Sequence, residues 1–224
     1  MTILTESKVS KTLNWVYEKA SEGLLNMESA AEMAELYIKK YPNNKLAAAN
    51  ALIRAQNVKS AASGFITGLG GLATMPVAIP MNLASVLYIQ VRMVMSIAII
   101  GGHNIKEDKV KAFVFACLAG NKARELLKEA GVQIAQNFVL QSLSADVILR
   151  INRMVGFNLI AKLGESGIIR ISKAMPILGG AIGATIDGIW TNQTGNMAVK
   201  WFVEDGESHD RIYKITSDKT LYEQ

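Results

Sequence analysis

Side chains that usually do chemistry are thinly spread in this sequence. The two histidines, His103 and His209, lie far apart, and Cys117 is the only cysteine. One cysteine cannot complete a usual zinc set with them, so no metal is expected. The glycine runs do not form a phosphate loop, because no G-x-x-x-x-G-K-[ST] occurs. Gly68-Leu-Gly-Gly-Leu-Ala lacks the preceding strand and the spacing of a dinucleotide fingerprint, so no cofactor is expected either. Serines are plentiful, but no base and orienting group stand out to complete a hydrolase. Cys117 falls among Val110, Phe113, Val114 and Leu118 on one apolar helical side, the setting of a small buried thiol rather than a nucleophile. The reading at this level is non-enzymatic.

What remains is a set of polar residues in apolar surroundings: Asn82, Gln90, Arg92 and Asp187. Residues 60–91 carry no formal charge, a run well beyond the ~20 residues that cross a bilayer. Pro76 and Pro80 interrupt it and predict two helical arms rather than one straight helix. The second arm reads as a helix over 81–100, stopped by Gly101-Gly102. On a helical wheel Asn82, Ser85, Arg92 and Ser96 share an arc of ~80°, with Gln90 further round. Such a helix is meant to be surrounded, and its polar arc needs a polar neighbour.

A second charge-poor block, residues 174–199, contains Asp187 as its only charge and also enters through Met175-Pro176. From there Gly180, Ala184, Asp187, Thr191, Thr194 and Ala198 follow one face, small at first and then polar. Gly64 and Gly68 in the first block, and Gly180, Gly183 and Ala184 in the second, are candidate close-packing positions. Asn82, Gln90, Arg92 and Asp187 are therefore expected to form an internal polar network where the two blocks meet, with Arg92 and Asp187 as an ion pair.

The remaining elements must position these blocks. Val9, Leu13, Val16, Tyr17, Ala20 and Leu24 give one amphipathic helix from about Glu6 to Gly23. A second helix is expected after an Asn26 cap, with Glu28 in its first turn and a stripe of Met27, Ala31, Ala34, Ile38 and Tyr41. An alanine-rich third helix starts near Lys45. Asn104 and Glu107 have capping-box spacing for a helix that Gly131 closes, and residues 132–163 continue in helical period. The fold class is thus all-α: a multi-helix bundle around two Gly/Pro-interrupted apolar segments, a hairpin near 60–100 and a helix near 175–202. Residues 1–203 read as one domain, with 1–44 as cover helices and 45–203 as core. Residues 204–224 read as a polar tail.

The totals narrow the partners. Half of the 224 residues are hydrophobic, 19% are charged, and the net charge is +5, with mean hydropathy +0.21. A basic balance suits anionic lipid or nucleic acid. Few aromatics and no dense Lys/Arg block argue against nucleic acid. The start of the chain lacks a secretory signal pattern, so a cytoplasmic protein, or one on the cytoplasmic side of a membrane, is expected.

Gly64-Phe-Ile-Thr-Gly-Leu-Gly-Gly-Leu-Ala-Thr-Met-Pro-Val-Ala-Ile-Pro80, Gln90, Ala98 and Gly101-Gly102-His-Asn104 form one recognisable block. Met175-Pro-Ile-Leu-Gly-Gly-Ala-Ile-Gly-Ala-Thr-Ile-Asp-Gly188 with Lys200-Trp-Phe202 forms another. Together they resemble the EcsC protein family. The resemblance implies an α-helical bacterial protein, and the family's namesake is encoded beside an ABC transporter. It brings no catalytic residues. The function expected is membrane-associated, accessory to membrane transport or an envelope process, with membrane lipids and a membrane protein as partners. One alternative is a soluble bundle that inserts its hairpin into membranes on a signal. Another is a soluble binding module or an unrecognised enzyme.

Overall fold

The computed structural model describes residues 6–24, 27–61, 81–131, 143–157 and 190–204. Gly64, Gly68, Pro76, Pro80, Pro176, Gly180, Gly183, Ala184 and Asp187 lie outside the described residues, as does the side chain of Asn82. The described elements are helical: α1 Glu6–Glu22, α2 Ala30–Lys40, α3 Lys45–Ala61, α4 Met81–Gly101, α5 Asp108–Ala119 and α6 Asn121–Glu129. Two more follow, α7 over 145–157 and α8 over 190–199, the latter running into a π-helical turn at Lys200–Glu204. No strand occurs among the described residues, and the protein is all-α.

α4 is the centre. It packs against α1, α2, α3, α5 and the π turn. From Leu87 to Ala98 every residue is buried, as an apolar circumference requires. α1 covers it with Val9, Leu13, Val16, Tyr17 and Ala20, the stripe that periodicity predicts. α2 differs from expectation. Ser29, not Asn26, precedes it, and Ser29 and Glu32 form a reciprocal capping box. That box fixes the start at Ala30. The buried face is Ala30, Met33 and Ala34, and Ile38 is 42% exposed.

A second correction concerns the segment after α4. Asn104 does not cap α5; its Oδ1 accepts from the Lys106 N–H at 3.0 Å, closing a turn before Glu107 takes the N-cap position. The helix expected to run to Gly131 is also divided. Gly120 adopts φ 72 and separates α5 from α6, while Gly131 at φ 73 closes α6. Only the absence of a Cβ makes that backbone inexpensive.

Candidate functional site

Two polar layers line α4. The upper one lies between α3, α4 and α8. Asn57 Nδ2 donates to Asn192 Oδ1 at 3.2 Å, and Gln90 Nε2 donates to Thr191 Oγ1 at 3.4 Å. Gln90 and Thr191 are buried, so a neutral amide here meets a neutral hydroxyl.

Arg92 stands two residues on, ~200° around the helix from Gln90, and faces the α1–α2 turn. Its Nη1 donates to the Glu28 carbonyl at 3.0 Å, and its guanidinium carbon lies 5.5 Å from the centre of the Tyr88 ring. Ser96, one turn further, donates 2.8 Å to the Ala30 carbonyl. Tyr88, Arg92 and Ser96, spaced by four, thus make one stripe against the start of α2. Arg92 is fully buried, and among the described residues no acidic side chain forms an ion pair with it. Burial pulls its pKa below the ordinary value, with Tyr88 and Glu28 opposing that shift. A guanidinium starts from so high an ordinary value that the group stays charged. Burial pushes the Tyr88 pKa up, with Arg92 and the Leu24 backbone N–H opposing; its hydroxyl lies toward both without reaching hydrogen-bond geometry with either.

Of the four predicted network residues, Gln90 and Arg92 are therefore placed on opposite sides of α4 with different neighbours. Asp187 and the Asn82 side chain fall outside the described set. Sequence reasoning missed Tyr88 and the Glu28 carbonyl. The four-residue step from Tyr88 to Arg92 was an available signal for the first. No signal existed for the second, since every residue carries a carbonyl.

At the lower end, Gly101-Gly-His-Asn104 and Lys200-Trp-Phe202 come together. The Gly102 N–H donates to Ile99 O and the His103 N–H to Ala98 O, both at 2.9 Å, a Schellman close with Gly102 at φ 97. A Cβ on Gly101 would overlap the Phe202 carbonyl oxygen, so only glycine lets the π turn approach. His103 Nε2 lies 3.0 Å from that same oxygen, and Lys45 Nζ donates to Gly101 O at 3.1 Å. Burial lowers the His103 pKa, with Lys45 and Lys109 adding to the shift and the Phe202 carbonyl and Glu107 opposing it. Phe113 meets Trp201 edge-on at 5.6 Å, sealing the corner from the α5 side. Cys117 is fully buried nearby in sequence, and burial pushes its thiol well up, away from a nucleophile's range.

This is an all-helical domain whose central helix is sheathed on every side and clasped at its Gly-Gly-His-Asn end by a Lys-Trp-Phe turn. The chain belongs to the EcsC protein family, which it matches over residues 2–203. No curated protein and no solved structure gives a significant match.

Proposed function

We propose that this protein is a non-enzymatic helical protein that attaches to a membrane and serves as an accessory to membrane transport or an envelope process. The observation that carries the reading is where three of the described helices begin or end. The Lys45–Gly101 and Gly101–Phe202 contacts lie at one end, and Asn57–Asn192 and Gln90–Thr191 toward the other. Hence Ala61, Met81 and Trp190 all stand at the end opposite the clasp. Residues 62–80, between Ala61 and Met81, carry no charge, and residues 174–189, just before Trp190, carry only Asp187. The net charge of +5 favours an anionic lipid surface as partner. No helix among the described residues is long and apolar enough to cross a membrane.

Cell fractionation tests it. The full chain is expected to pellet with membranes and to be released by a high-pH wash. A chain that stays in the supernatant from the start overturns the proposal. Resistance to the wash favours the second reading, insertion of the hairpin on a signal. That reading draws on the sheath around α4, whose polar anchors to α1–α2 are few: Arg92 on Glu28 O and Ser96 on Ala30 O.

A further inference from the structure

The Arg92 side chain has more hydrogen-bonding capacity than its surroundings use. It is 0% exposed, yet its Nε and Nη2 have no hydrogen-bond partner. These two nitrogens are not an arbitrary remainder. They form the side-on edge of the planar guanidinium, whose parallel N–H groups match two oxygens of a carboxylate or phosphate. The bond to Glu28 O uses Nη1 instead, so it fixes the plane of the fork and leaves that edge available. Tyr88 Oη, on the same stripe, is also buried without a partner and supplies a third donor. Buried donors left without acceptors are rare and unfavourable, most of all on a charged group. Glu28 is exposed while its carbonyl touches the fork. The Nη1 side of the guanidinium is thus covered by the backbone of an exposed residue.

We propose that the Arg92 fork and the Tyr88 hydroxyl are a receptor for an oxyanion of the phosphate or carboxylate class, bound on the α4 stripe beside Glu28. Two oxygens accept from Nε and Nη2, and a third accepts from Tyr88 Oη. The negative charge compensates a guanidinium that has no acidic partner among the described residues. This site is independent of membrane attachment and stands or falls without it.

The test is titration of inorganic phosphate, and separately acetate, into the full-length protein, with chloride holding ionic strength constant. Thermal unfolding and the Arg92 Nε–H resonance are followed. A saturable rise in melting temperature is expected, together with a shift of that resonance. Arg92→Lys keeps the charge and removes the fork, and is expected to weaken the apparent affinity about tenfold or more. Tyr88→Phe removes only the hydroxyl and is expected to weaken phosphate more than acetate. Lys45→Ala, at the far end of α4, should respond as the wild type. No saturable response in the wild type overturns the proposal, as does an equal response in Arg92→Lys. A response that appears only in Asp187→Asn also overturns it, because the fork would then already hold a carboxylate of the chain. Should Arg92→Lys fail to fold, unchanged phosphate affinity in Tyr88→Phe is the overturning result.

Discussion

The clasp at the lower end of α4 and the Arg92 layer near its middle lie ~14 Å apart on one helix, and they are built on opposite terms. In the clasp each residue has one structural task. Gly101 admits the Phe202 carbonyl, Gly102 takes the left-handed close, His103 reaches Phe202 O, and Asn104 turns the chain. In the Arg92 layer a charge is buried with one hydrogen bond and two idle donors. The clasp is locally consistent, as sequence that encodes structure should be. The Arg92 layer violates the rule of satisfied burial, and such violations concentrate where a protein does something besides fold. The two regions should therefore fail differently when mutated.

The largest loss is expected in the clasp. Gly101→Ala places a methyl group against backbone, 2.8 Å from the Phe202 carbonyl carbon as well as over its oxygen. The turn must then leave α4, exposing Trp201 and Phe202, both now buried. A destabilisation of about 3 kcal/mol or more is expected, at the upper end for overpacking, read by chemical denaturation. Gly102→Ala asks a left-handed φ of an L-residue and should cost about 1–2 kcal/mol. If both alanine variants melt with the wild type, the clasp is not what holds the end of α4.

α8 offers an intermediate case away from both regions. A Cβ on Gly195 would lie 2.7 Å from Ile53 Cγ1 and 2.9 Å from its Cδ1. Those atoms can shift, unlike the backbone at Gly101, so Gly195→Ala should cost about 1–2 kcal/mol. Adding Ile53→Val should recover part of that loss in the same denaturation experiment. Additive losses would mean that the α3–α8 crossing is set elsewhere.

Arg92→Met reverses the expectation. Removing the guanidinium strands the Glu28 carbonyl, at about 1–3 kcal/mol. It also removes the cost of burying a cation, an effective penalty of several kcal/mol. The net change should lie within about 1 kcal/mol of wild type or be stabilising. A loss of about 3–5 kcal/mol, recovered when Asp187→Leu is added, would instead establish the ion pair that sequence reasoning favours. That outcome would erase the contrast between the two regions.

Legibility followed the same divide. The stripe of α1 could be read because Val9, Leu13, Val16, Tyr17 and Ala20 obey a simple period and nothing competes with it. The start of α2 was misread because Asn26 and Ser29 are both good caps, and only Glu32 at the third helical position decides between them. The break at Gly120 was hidden because Leu118 and Asn121 stay in phase with the stripe before them. That α4 would be enclosed was legible from its composition. That Arg92 would turn to a main-chain carbonyl was not, since side-chain patterns carry no record of where backbone acceptors come to lie.

The smallest effects separate the regions by pH. Burial holds the folded His103 pKa below its ordinary value, with Lys45 and Lys109 acting the same way. The unfolded chain therefore takes up the proton first. Stability from this group is full above about 6.5, the unfolded value, and declines as pH falls toward the folded one. The Glu32 carboxylate is held below its ordinary value by the Ser29 N–H and hydroxyl. Its contribution is present above the unfolded value near 4.5 and is lost as pH falls through the folded one. Melting temperature followed downward in pH should thus fall in two stages, the first from the clasp and the second from the α2 cap. His103→Gln should flatten the first stage alone, because an amide can still donate to Phe202 O without titrating. Ser29→Ala should lower stability by about 1 kcal/mol at neutral pH and blunt only the second. If His103→Gln leaves the first stage intact, the histidine is not what ties the clasp to pH. The Arg92 layer, whose guanidinium does not titrate in this range, should contribute to neither stage.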